Sequence, residues 1–182
     1  MAKVFEEIDE SLAAFIGAQA MYFVATAPNE GHVNVSPKGL DSFRILGPSR
    51  VAYLDLGGSG IETLAHVKEN GRICLMFCAF SGAARILRLH GTARAVEPHE
   101  ADFPALRARF PDFPKCRAIL DVVVTRIADS CGWGVPLYEL KGQRDQLVRY
   151  GAQLDEAKWA EVRRAKNAES IDGLPGLDVA RL

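Results

Sequence analysis

A chain of 182 residues, 48% hydrophobic and 25% charged with a formal net charge of −1, is long enough to bury one full core. Charges this evenly balanced argue against a broad electrostatic grip on nucleic acid or on an anionic membrane. The opening MAKVFEEIDESLAAFI mixes acids with apolar residues, unlike a secretory signal, and no apolar run reaches the roughly 20 residues that span a bilayer, so a soluble cytoplasmic protein is expected.

In chain order, Val4, Phe5, Ile8, Leu12, Phe15 and Ile16 recur at three- and four-residue spacing and predict a first helix with one apolar stripe. The period then changes. MYFVATA reads as a strand, Pro28 to Gly31 as a turn and HVNVSPK as a second strand, together a hairpin. SFRIL and RVAYLDL follow as strands around Gly47-Pro48-Ser49. The glycine-rich turn 57–60 then opens a helix to about Asn70, which Gly71 stops. Two long strands, RICLMFCAF and RILRLHGTARAV, join at Ser81-Gly82. A short proline-bearing helix covers about 99–113, and AILDVVVTRIA is a β-branched strand. Beyond Cys131 the pattern loosens through GWGVPLYE, and 143–168 reads as one or two charged helices. A single domain over 1–182 is expected, with a helical extension from about 140. Six or seven strands without alternating helices predict a mainly β, α+β fold, an antiparallel barrel with flanking helices.

The four cysteines predict neither disulfide nor metal. Cys74 and Cys78 share one strand, about 13 Å apart at ~3.3 Å per residue, and their spacing is too wide for a zinc knuckle; Cys116 and Cys131 flank another strand. Alternation puts Asn34, Ser36 and Lys38 on one face of their strand and Val33, Val35 and Pro37 on the other. The polar face is either solvated or lines a ligand groove. Ser59-Gly60-Ile61-Glu62 fits a capping box, and a helix start after glycines also offers N–H groups to a phosphate. On RILRLHGTARAV, Arg88, His90, Thr92 and Arg94 oppose Leu87, Leu89 and Ala93. Arg88 is either a solvated strand residue or a partner for phosphate or a second subunit. Trp133 and Tyr138 suit packing or stacking on a planar ligand. Nucleophile-elbow, P-loop and zinc-protease signatures are absent from the sequence.

Taken in order, NVSPKG, RVAYLDL, GGSG, ETLAHVKENGR, ICLMFCAF and ILRLHGTARAV resemble the FMN-binding split barrels related to pyridoxamine 5′-phosphate oxidase, over about residues 20–130. The resemblance implies a six-stranded split barrel and an obligate homodimer with FMN at the subunit interface. By position, it implies that Asn34, Val35, Ser36, Pro37 and Lys38 run beside the isoalloxazine ring. Tyr53 and Asp55, with Ser59, Gly60 and Thr63 in the turn, would lie near the ribityl phosphate, and Arg85 and Arg88 would begin a further strand approaching the flavin. The oxidases' arginine–lysine pair at the helix start is replaced here by Glu62-Thr63. The expectation is an FMN-dependent oxidoreductase acting on an unidentified small molecule or electron donor, with the cofactor carrying the chemistry and no catalytic side chain named. The alternative is a module that holds haem, a deazaflavin or another planar molecule. Haem would need an axial ligand, with His66, His90 and Cys131 as candidates.

Overall fold

The computed structural model describes residues 3–182. In chain order the elements are β1 (Val4–Phe5), α1 (Glu10–Gly17), β2 (Tyr22–Thr26), β3 (Asn34–Lys38), β4 (Phe43–Gly47), β5 (Arg50–Asp55) and α2 (Glu62–Asn70). Then come β6 (Arg72–Cys78), β7 (Ile86–Val96), α3 (Phe103–Arg107), β8 (Ala118–Ser130), α4 (Gln146–Ala152) and α5 (Glu156–Asn167), before a final 3-10 turn at Val179–Arg181.

All strands pair antiparallel in the order β3-β2-β6-β7-β8-β5-β4, with β1 added beside β8. The sheet curls into a half-barrel flanked by helices, the mainly β, split-barrel class that the strand count predicts. Its path ends at β3 and β4. These strands are consecutive in the chain but do not pair, and the barrel is split between them. Inward side chains fill the interior: Val24, Leu75, Leu87, Leu89, Leu120 and Val122 are all fully buried. Near the split the filling is aromatic, with Phe77 stacked on Tyr22 at 5.4 Å and edge-on to Phe43 at 5.2 Å.

Two local expectations are corrected. Val4 and Phe5 do not belong to the first helix; they form β1, pairing with Ala128 and Ile127. The helix begins at Glu10 because Asp9 caps it, its carboxylate accepting the Leu12 N–H at 2.8 Å. That short strand makes eight where six or seven are predicted. The prolines also confine α3 to five residues. By contrast α2 ends as expected, Gly71 taking the left-handed φ of +73° that closes the helix.

The chain beyond β8 wraps back over the barrel. Helix α5 lies against the turn between β5 and α2. The hook that follows it reaches the β2–β3 turn, where the Asp172 carboxylate accepts from the His32 backbone N–H at 2.9 Å and pairs with His32 Nδ1 at 2.6 Å. No helix among the described residues is long and apolar enough to cross a membrane.

Candidate functional site

Strand β3 turns its polar face inward. Val33 and Val35 are 71% and 59% exposed, whereas Asn34, Ser36 and Lys38 are half-buried towards α2 and β5. The inversion follows from what lies opposite. The first turn of α2 offers Thr63, whose Oγ1 accepts from Asn34 Nδ2 at 3.0 Å, and Ser36 Oγ donates to Asn34 Oδ1 at 3.3 Å. The Asn34 amide is therefore fixed at both ends.

The expected capping box does not form. The cap position is Ile61, with no side-chain bond to the helix N–H groups, and Ser59 is exposed. Glu62 folds back over the turn, where its carboxylate would collide with any Cβ at Gly60. The first-turn N–H groups of α2 are therefore uncapped by any side chain, next to Asn34 and Thr63.

Asp55 ends β5 at the same place, 4% exposed and 3.1 Å from Arg117 Nε. Burial alone would raise its carboxyl. The charges of Arg117 and Lys38 and the Gly57 N–H, which donates at 3.1 Å, outweigh that and hold it below the usual carboxylate range. Arg117 also donates to the Gly58 carbonyl at 3.3 Å, as does Asn167 Nδ2 of α5 at 3.4 Å. Trp159 of the same helix lies against Gly57, whose φ of +81° and missing Cβ are both needed there. The glycine turn is thus clamped from behind by the C-terminal helix. Tyr53 is fully buried and its hydroxyl has no hydrogen-bond partner among the described residues; burial, then the charge of Asp55, holds its phenol well above the ordinary value.

The structure therefore gathers Asn34, Ser36, Lys38, Asp55 and Thr63 with Ser59 and Gly60 in the adjoining turn, and Tyr53 beneath them. Val35 and Pro37 face the opposite side of β3. Arg85 and Arg88 lie elsewhere. Arg85 pairs with Asp129 at 3.0 Å, and Arg88 donates to Ser130 Oγ at 3.1 Å near the Cys74 and Cys78 thiols. Among the candidate axial ligands, His66 is sealed in the core with Nδ1 3.0 Å from Thr26 Oγ1, His90 is half-buried and Cys131 is exposed. All four cysteines are free, and the described residues contain no group of three or more His, Cys, Asp or Glu placed to hold a metal ion.

A cleft of about 620 Å³ opens beside Lys38 and Asp55 at the split, and its outer wall is the segment around residues 140–147. Sequence reasoning missed Arg117, Trp159 and Asn167. Only the helical spacing of Trp159, Arg163 and Asn167, one face of α5, could have marked a buried contact, and nothing local marks Arg117 as the partner of Asp55.

The family profile described as pyridoxamine 5′-phosphate oxidase matches residues 8–128, nearly the whole barrel. The chain belongs to the pyridoxamine 5′-phosphate oxidase family. It is 35% identical over 194 residues to the pyridoxamine 5′-phosphate oxidase family protein ustO of Aspergillus flavus, covering 97% of this chain and 78% of that protein. The fold is similar to that of HupZ from Group A Streptococcus, with a TM-score of 0.55 at 24% identity, over 68% of this chain and 99% of that one. A family member from Lactobacillus delbrueckii superposes with a TM-score of 0.53 at 19% identity, over 69% and 98% of the two chains.

Proposed function

We propose that this chain is an FMN-dependent oxidoreductase of unidentified substrate. The observation that carries this reading is the inward polar face of β3 beside the uncapped start of α2. Asn34 and Thr63 supply an amide and a hydroxyl next to helix N–H groups that no side chain caps, and Lys38 supplies an ammonium farther along the same face of β3 beside Asp55, donors that suit a phosphate monoester. Asp55 does not oppose an anion there, because Arg117 neutralises it from behind. Glu62 confines the phosphate to the Lys38 side of the turn. When bound, FMN supplies hydride and electron transfer. The chain's own residues hold the phosphate, fix the Asn34 amide against Thr63 and bring the apolar cleft up to the ligand.

A homodimer belongs to the same reading. Val33 and Val35 are exposed on the outer face of β3, and half-buried Phe23 and Met76 stand beside them on β2 and β6. An outward apolar sheet face of this kind is covered by a second copy, and obligate contacts of this sort commonly bury more than about 1,200 Å². Reconstitution with FMN tests the cofactor. Uptake at micromolar concentration, with an oxidised-flavin spectrum that bleaches on reduction, is the expected result. Failure to retain FMN, or a haem Soret band in its place, contradicts it.

A further inference from the structure

The cleft at the split is asymmetric in a way that points to a class of ligand. Its walls are apolar: Met21, Leu40, Leu54 and Leu56 from the barrel, Leu140 and Leu147 from the strap. Its size, about 620 Å³, suits a small organic molecule. Leu40, in the loop that floors it, holds a left-handed φ of +59°, a strained conformation for a bulky apolar residue and of the kind found at ligand sites. The strap is pinned over the opening by Gln143, whose Nε2 donates to the Ala20 carbonyl at 3.1 Å.

The charges in this cleft are lopsided. Asp55, its one acidic wall residue, is already paired with Arg117. Lys38 and Arg144 line the same space; Lys38 acts on Asp55, whereas the Arg144 side chain has no hydrogen-bond or ion-pair partner among the described residues. A cation facing an apolar wall without a counter-charge matches a ligand that brings both a carbon skeleton and an anion. An arginine fork suits a carboxylate in particular, because both oxygens can be held at once.

We propose that the cleft takes an apolar organic acid, its carbon skeleton against Leu40, Leu140 and Leu147 and its carboxylate on Arg144. The proposal names the substrate class of the flavin site and rests on that reading only through Lys38, which the two share. Arg144 belongs to the cleft alone.

Calorimetry on the full chain, with and without FMN, compares 4-phenylbutyrate, 4-phenylbutan-1-ol and 4-phenylbutylamine, which differ only at the head group. The acid binds at least about tenfold more tightly than the alcohol or the amine, as one or two charge-assisted hydrogen bonds allow. Arg144→Gln removes that gap, Arg144→Lys keeps part of it, and Arg149→Gln, which alters a solvent-facing pair with Asp145, leaves it intact. Leu147→Ala weakens all three probes alike. Equal binding of the three, no binding at millimolar concentration, or a gap that survives Arg144→Gln overturns the proposal. Flavin uptake is read separately from its absorbance, so loss of the flavin reading and loss of this one are distinguishable. Arg144 is exposed, and circular dichroism confirms that the variants fold.

Discussion

Strands β3 and β7 make an instructive pair. Each alternates apolar and polar residues, and each carries cations on its polar face. On β7 the arrangement is the ordinary one. Leu87 and Leu89 fill the barrel, while Arg88 faces outward and bonds to Ser130. On β3 it is inverted, with valines outside and Asn34, Ser36 and Lys38 inside. Alternation fixes which residues share a face but not which face is covered. The covering element decides that, and for β3 it is a helix start rich in unpaired donors. Under the proposed reading the polar face turned inward against that start takes the ligand, whereas Arg88 on the outer face already has Ser130 as its partner.

The strongest way to break the comparison is to disturb the ion pair beneath the site. Arg117→Met leaves Asp55 buried without its counter-charge and is expected to cost about 3–5 kcal/mol, measured by chemical denaturation. A loss under about 1 kcal/mol would show that the pair is solvated. The pair also sets a pH dependence. Asp55 titrates lower folded than unfolded, so it contributes stability above its unfolded value near 3.8 and loses that contribution as pH falls through the lower folded value. In Asp55→Asn the acid limb of the stability curve below about pH 4 flattens; an unchanged limb contradicts the assignment.

A smaller effect separates the two strands directly. Lys38→Ala weakens FMN by about tenfold or more, the loss of one charge-assisted contact, whereas Arg88→Ala leaves FMN affinity unchanged. Titration of both variants checks this, and the reverse order sinks the distinction between inner and outer cations. The outer face of β3 gives a third contrast: Val35→Glu is expected to convert a dimer to a monomer in light scattering while the barrel stays folded. If the protein is monomeric from the outset, the valine face is not an interface. Smallest of all is Ser59→Ala. With no cap bond to lose, it changes stability by less than about 0.5 kcal/mol, against about 1 kcal/mol for a working cap.

Much of the barrel was legible in the sequence because its signals are local. Period-two strands, the Gly71 stop and the turn at 57–60 are set by neighbouring residues, and the ordered motifs between Asn34 and Val96 carried the family. Three features were not. Ser59-x-x-Glu62 satisfies the capping-box pattern, yet the glycines let the turn continue to Ile61 and Glu62 fold back. Val4 and Phe5 share a helical spacing with Ile8, but pairing with β8, more than 120 residues away, outweighs it. The partners of Asp55 and Gly57 come from Arg117 and from α5, and such long-range contacts leave no mark in the local pattern. Trp159 and Asn167 were visible as residues of a charged helix, not as the clamp on the glycine turn.

The central claim is that the inward face of β3 and the start of α2 hold a flavin phosphate. Parallel titration of FMN and riboflavin against the same protein tests it most directly, because the two ligands differ only in that group. Two charge-assisted contacts of about 1.5 kcal/mol each predict that FMN binds at least about 100-fold more tightly, and that Lys38→Ala narrows the gap. Equal affinity for the two flavins would contradict the claim and leave the turn at 57–60 as nothing more than the entry to a helix.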